Sequence, residues 1–132
     1  MTVFLDTVGL LAVWDESDQW HEKAQACFVG LSASHASVVT TTFILLECGN
    51  ASARRPYRSA VSRLRQQMER GNRLITPTTA DWKAGWLAYD GSEANSAGIV
   101  DQISFAVMRR MGISKAFTND QHFRAAGFEA MF

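Results

Sequence analysis

The chain alternates short apolar runs with longer segments in which apolar residues recur every three or four positions. Four runs are too short for helices and predict buried strands: Thr2–Leu5, Val38–Thr40, Leu74–Ile75 and Lys115–Thr118. The segments between them have the spacing of amphipathic helices. Strands that alternate with helices favour an α/β fold with a parallel sheet and helices on both faces.

Capping and turn residues mark the ends of several elements. Gly112 predicts the end of a long helix that begins near Ile99. Asp120 is expected to cap a short helix after the fourth strand. Thr78 and Thr79 are expected to cap another helix. The last segment, residues 128–132, is interpreted as either a closing edge strand or a loose tail.

Four carboxylates occupy similar places relative to these elements. Asp6 directly follows the first strand, and Asp120 follows the fourth. Glu47 lies in the helix after the second strand, in an apolar setting where a carboxylate is rarely buried without a partner. Asp101 lies in the first turn of the long helix. A parallel sheet would bring these positions together along one edge, where ligands bind in α/β proteins.

Crowded carboxylates repel one another unless a cation neutralises them. Oxygen ligands favour hard ions such as Mg²⁺ or Mn²⁺, which can activate water and stabilise charge on a phosphodiester. The set therefore predicts a metal-dependent nuclease, although any single aspartate after a strand is more often a helix cap. Thr7 and Thr118 are expected to orient carboxylates through their hydroxyls, and Asn119 to hold a water or a phosphate oxygen.

A second feature is an arginine-rich segment that contains one acid, Glu69. Its arginines are Arg54, Arg55, Arg58, Arg63, Arg65, Arg70 and Arg73. Arginine pairs with phosphate in a bidentate manner, so Arg54, Arg55 and Arg58 are candidates for RNA binding. It is at least as plausible that these arginines only form a solvated helix face. They are also suited to binding an acidic partner protein.

Histidine and tryptophan are interpreted as structural. The three histidines have no metal-like spacing and are expected to be surface or packing residues: His21, His35 and His122. The four tryptophans lie on helical apolar faces and are expected in the core or a subunit interface rather than in a base-stacking platform: Trp14, Trp20, Trp82 and Trp86.

Length and composition limit the number of domains, the kinds of partner and the cellular compartment that can be expected. A chain of 132 residues is expected to form one domain over residues 1–132 with a core that needs no disulfide. Its formal net charge is zero, so no global charge attracts nucleic acid or membrane. The two cysteines lack metal-ligand spacing and suit a reducing compartment. No signal peptide or membrane span is predicted, and a cytoplasmic location is expected.

Three blocks of sequence resemble the PIN-domain family, and within it the VapC-like toxin ribonucleases. They are VFLDT at 3–7, TTFILLECGNA at 41–51 and VDQISFAVMRRMGISKAFTNDQHFRAAGF at 100–128. The resemblance implies a three-layer α/β/α sandwich with four to five parallel strands. It also implies Mg²⁺ or Mn²⁺, endonucleolytic cleavage of RNA, a homodimer and a cognate antitoxin. The metal ligands and catalytic residues it implies are Asp6, Glu47, Asp101 and Asp120.

Two other functions compete with a toxin ribonuclease. One is a binding module for RNA or protein that keeps the fold without catalysis, against which the presence of all four acids counts. The other is a different phosphotransfer protein. A haloacid-dehalogenase-like phosphatase needs a second aspartate where this chain has Val8, and no acidic pair typical of a receiver domain is found.

Overall fold

Five short strands form one parallel sheet in a computed structural model that describes all residues 1–132. They are β1 (Thr2–Leu5), β2 (Ser37–Thr41), β3 (Leu74–Ile75), β4 (Lys115–Phe117) and β5 (Glu129–Ala130). Their order across the sheet is β3–β2–β1–β4–β5, and every neighbouring pair is parallel. The predicted strands are confirmed, and the end of the chain forms an edge strand rather than a tail.

Seven helices connect the strands. They are α1 (Thr7–Trp14), α2 (His21–Ala33), α3 (Thr42–Ser52), α4 (Arg58–Arg70), α5 (Thr79–Asp90), α6 (Ile99–Met111) and α7 (Gln121–Ala125). The chain first moves outward from β1 to β3 and then returns to β4 and β5 on the other side of β1. Right-handed crossovers therefore place α1–α4 on one face and α5–α7 on the other. The helix contacts agree, since α1 packs on α2 and α3, whereas α6 packs on α5 and α7.

The core lies around the central strands. Val3, Phe4 and Leu5 of β1 are fully buried in a single cluster of 21 apolar residues. Phe117 of β4 packs its ring 5.4 Å from Phe28 on α2. Cys48 is buried here, and burial raises the pKa of its thiol to about 12, so it remains a neutral apolar group. None of the helices is long and apolar enough to cross a membrane.

The tryptophans differ from expectation. None is fully buried, and Trp20 and Trp82, which are 38% and 48% exposed, do not lie in the core, so for these two residues only the predicted place in a subunit interface remains. Trp20 is the N-cap of α2 rather than part of its apolar face. Helix α5 contacts α6 through Gly85, which lies directly against Ile103, whereas the Trp82 ring packs on Phe43 and Trp86 and stays partly in solvent.

Gly9 allows α1 to lie directly on the end of β4. A methyl group there would overlap the Phe117 carbonyl oxygen, which is backbone and cannot move aside. Gly9→Ala is expected to lower the free energy of unfolding by about 3 kcal/mol, as overpacking does. Gly30 on α2 is the matched control, because a methyl group added there would have no neighbour within 4 Å and Gly30→Ala should be neutral or slightly stabilising. Urea titration of both variants checks this, and equal stabilities would contradict it.

Candidate active site at the carboxyl edge of the sheet

The order of the strands reverses between β1 and β4, which places a crevice beyond the carboxyl ends of these two strands. Asp6 follows β1 at this edge, and Asp120 follows β4. Helix α3 starts at the same edge after β2, and Glu47 lies in its second turn. The first turn of α6 contains Asp101. The four predicted acids therefore come from four separate segments to one end of the sheet.

Asp6 is almost completely buried, at 1% exposure. Its carboxylate caps α1 by accepting a hydrogen bond of 3.3 Å from the Val8 amide. It also accepts a bond of 2.8 Å from the Thr118 hydroxyl. The Thr118 oxygen in turn accepts a bond of 3.1 Å from the Asp120 amide. Thr118 thus links the positions of two acids, which is the hydroxyl contact expected from the sequence.

Glu47 is half-buried and accepts a hydrogen bond of 2.6 Å from the Thr7 hydroxyl. Because Thr7 follows Asp6, this bond connects α3 to the start of α1. The sequence also predicted this use of Thr7. Asn119 is half-buried beside Asp120, but its side chain forms no hydrogen bond within the protein. Its predicted role, to hold a water or a phosphate oxygen at the site, therefore stays a prediction.

The acids perturb one another electrostatically. Burial raises the pKa of Asp6 to about 7, and the charge of Asp101 adds to the effect. Burial likewise raises the pKa of Asp101 to about 6, with further contributions from the charges of Asp120 and Glu47. Asp101 is therefore close enough to interact with each of the other three acids. Such a group is destabilising unless positive charge enters it.

His122 can supply some of that charge when its ring is protonated. Its Nδ1 lies 3.1 Å from Asp120 Oδ1, and its Nε2 lies 3.0 Å from the carbonyl oxygen of Asn95. Both neighbours accept hydrogen bonds, so the protonated imidazolium ring can donate to both of them, whereas a neutral ring can donate to only one. The pKa of His122 is accordingly raised, chiefly by the bond to Asn95 and then by the charges of Asp120 and Asp101.

The sequence interpretation of His122 as a surface or packing residue missed this role. The structure agrees that His122 is partly exposed, but it also places the ring against Asp120, where its protonated form is a counter-charge to the acids. The sequence feature that could have predicted this contact is the position of His122 two residues after Asp120, in the first turn of α7.

The donor set fits a hard divalent cation. Asp101, Asp120 and His122 offer ligand atoms within 4.8 Å of one another, and two of these three are carboxylates. Asp6 and Glu47 lie outside that tight group but interact with Asp101 through their charges. No thiolate is available, because Cys48 is held neutral. Oxygen donors with this excess of negative charge suit Mg²⁺ or Mn²⁺ better than zinc.

The arginines predicted to bind RNA lie away from this edge. Arg54, Arg55 and Arg58 come after the end of α3, and eleven helical residues, about 16 Å, separate that end from the crevice. Arg55 pairs with Asp15 at 3.2 Å, and Arg58 donates to the carbonyl of Ala53 at 3.0 Å. Arg54 is exposed and forms no ion pair. Their role in RNA binding stays a prediction.

Comparison with known protein families matches residues 3–129 to the PIN domain. This chain belongs to the PIN domain family. Two curated relatives of this PIN domain are the 23S rRNA-specific endonuclease VapC20 from Mycobacterium tuberculosis strains CDC 1551 / Oshkosh and H37Rv. Each is 29% identical to this chain, and the match covers 96% of this chain and 95% of the relative.

A solved structure gives the same result for the fold. The crystal structure of M. tuberculosis VapC20, described as a sarcin–ricin loop cleaving toxin, matches this PIN domain with a TM-score of 0.78 and 28% identity. The match covers 96% of this chain and 95% of that one. The family and the α/β fold predicted from the sequence are confirmed.

Proposed function

We propose that this PIN domain, residues 1–132, is a divalent-metal-dependent endoribonuclease and the toxin of a VapBC-type toxin–antitoxin pair. The observation that carries the proposal is the convergence of four carboxylates at the switch point of the sheet, where two of them have strongly raised pKa values. The relatives named as an endonuclease and as a toxin support it.

In this proposal Asp6, Glu47, Asp101 and Asp120 hold Mg²⁺ or Mn²⁺. When bound, such an ion lowers the pKa of water and neutralises charge on a phosphodiester. The protein's own contribution is to fix the carboxylates. The Thr118 hydroxyl orients Asp6, and the Thr7 hydroxyl orients Glu47. Hydrolysis by in-line attack would leave 5′-phosphate and 3′-hydroxyl ends.

The proposal includes three partners. The substrate is RNA, with Arg54, Arg55 and Arg58 as contacts for its backbone at the far end of α3. A cognate antitoxin covers the site, and a second copy of the chain completes a homodimer in the cytoplasm. Ribosomal RNA that contains the sarcin–ricin loop is the first substrate to test, because a relative is described as cleaving that loop.

The test is cleavage of ribosomal RNA by the purified chain, followed by sequencing of the new ends. The RNA is expected to be cleaved when Mg²⁺ or Mn²⁺ is present. Cleavage should stop when the metal is chelated and resume when Mn²⁺ is added back. Cleavage that survives chelation would contradict the metal role. Absence of both Mn²⁺ binding and cleavage would favour a PIN-fold binding module without catalysis.

A further inference from the structure

The imidazole of His122 belongs to the tightest group of potential ligand atoms in the site. One ligand atom each from Asp101, Asp120 and His122 lies within 4.8 Å of the other two. Bonds of about 2.1 Å to one ion place opposite ligands roughly 4.2 Å apart, so small side-chain movements are enough for these three atoms to share an ion. The third member of the group is therefore a nitrogen donor rather than another acid.

Asn95 determines which ring nitrogen of His122 is available. Nε2 lies 3.0 Å from the carbonyl oxygen of Asn95. A carbonyl oxygen only accepts hydrogen bonds, so Nε2 carries the proton of this bond. A neutral ring then has its lone pair on Nδ1, the nitrogen that faces Asp120. Histidines that bind metals have this arrangement, because the nitrogen that is not a ligand commonly donates its proton to a carbonyl or a carboxylate.

The contact between the ring and Asp120 needs a positive charge. Nδ1 of His122 lies 3.1 Å from Oδ1 of Asp120. In the neutral ring both of these atoms are acceptors, so they repel each other at this distance. Either a proton on Nδ1 or a metal ion that binds both atoms removes the repulsion. The geometry therefore suits a metal ligand as well as a counter-charge.

Both side chains are held in position by the protein itself. Asp120 caps α7, since its Oδ1 accepts a hydrogen bond of 2.9 Å from the His122 amide. The Asp120 amide donates to the Thr118 hydroxyl at 3.1 Å. The far side of the ring is fixed by Asn95, whose backbone adopts the left-handed conformation that asparagine tolerates, with φ 70°. Such fixed orientations are what a metal site requires of its ligands.

We propose that Nδ1 of His122 is a ligand of the divalent ion, together with the proposed acids Asp101 and Asp120. The inference rests on the proposed function, because it concerns the same ion, and it adds a preference among metals. Carboxylate oxygens suit Mg²⁺, whereas imidazole nitrogen favours first-row transition ions, whose affinity for such sites rises from Mn²⁺ to Co²⁺. The site should therefore prefer Mn²⁺ and Co²⁺ to Mg²⁺.

The first test compares His122→Asn with His35→Asn in calorimetric titrations with Mn²⁺, Co²⁺ and Mg²⁺ at pH 8. His35 is the matched control, because it is exposed and lies just before β2, at the opposite edge of the sheet from the acids. Its φ of 54° is a conformation that asparagine also tolerates. Thermal melts in a chelator check that both variants fold.

His122→Asn is expected to weaken Mn²⁺ binding at least about tenfold, since even the loss of a group that supports a ligand costs that much. The loss should be larger for Co²⁺ than for Mn²⁺ because Co²⁺ has the higher affinity for nitrogen. Mg²⁺ binding should change less than about threefold, because asparagine still offers an oxygen and Mg²⁺ favours oxygen ligands. His35→Asn should bind all three ions like the parent.

A spectroscopic measurement detects the nitrogen directly. Pulsed electron paramagnetic resonance of the Mn²⁺-loaded parent should show coupling to a directly bound nitrogen nucleus. The coupling should persist in His35→Asn and be absent from His122→Asn. If His122→Asn fails to fold, the spectrum of the parent, with and without isotopic labelling of histidine, decides.

Two results would overturn the assignment of His122 as a ligand. One is an equal change of affinity for all three ions in His122→Asn, including an equal gain, which would leave the ring as a counter-charge alone. The other is Mn²⁺ bound by the parent without coupling to nitrogen. In either case Mn²⁺ binding that is lost in Asp101→Asn would still support the proposed function. A parent that binds no Mn²⁺ would contradict both proposals.

Discussion

Asp101→Asn is expected to lower the rate of RNA cleavage at least about a hundredfold. Loss of a residue that only supports a metal ligand already costs about 10- to 100-fold, and Asp101 is proposed as a ligand itself. Asp101 is also the acid that interacts with the other three, since it raises the pKa of Asp6 and its own pKa is raised by Asp120 and Glu47. Removing its charge therefore affects the whole set.

Asp90→Asn is the control for this variant, because it makes the same chemical change at an exposed position at the end of α5. It should cleave RNA like the parent. The measurement is the initial rate of RNA cleavage in Mn²⁺, together with Mn²⁺ binding by calorimetry. Equal rates for Asp101→Asn and the parent would show that the site has been assigned to the wrong residues.

Asp6→Asn is expected to abolish cleavage while making the metal-free protein more stable at pH 8. The pKa of Asp6 is about 7 in the folded chain and 3.8 when unperturbed. Between these values the folded state binds more protons than the unfolded state, so the contribution of Asp6 to stability is fully present below about pH 4 and is lost as the pH rises to about 7. The difference corresponds to at most roughly 4 kcal/mol. Asparagine avoids this cost because it has no charge, and it can still cap α1.

Urea unfolding in a chelator at pH 5 and pH 8 measures the effect. The parent should lose stability between the two values, and Asp6→Asn should lose much less. Glu93→Gln, at an exposed position, should follow the parent. The explanation fails if Asp6→Asn is less stable than the parent at pH 8. Adding Mn²⁺ at pH 8 should stabilise the parent but not the variant.

Most of the architecture could be predicted from local patterns, because each strand is an apolar run that ends at a polar residue. The run before Asp6 and the run before Asp120 both became central strands, and the hydroxyls of Thr7 and Thr118 bind carboxylates as expected. These features depend on the periodicity of strands and helices, which is visible along the chain.

The remaining features depend on contacts between distant segments, which no local pattern contains. The pKa of His122 is raised chiefly because the loop before α6 places the carbonyl of Asn95 beside it. Trp82 has the helical spacing of a core residue, yet it is half exposed, and the buried residues of α5 are Asp81 and Gly85. Periodicity identifies an apolar face, but not what covers it.

The spread of the acids along the chain has a consequence for biosynthesis. Asp6 follows the first strand and Asp120 follows the fourth, so the crevice between them closes only when β4 pairs with β1. If the four acids act together as proposed, a nascent chain on the ribosome cannot damage RNA before nearly all of it has emerged and folded. Translation itself would then give the cell an interval in which the partially made toxin is harmless.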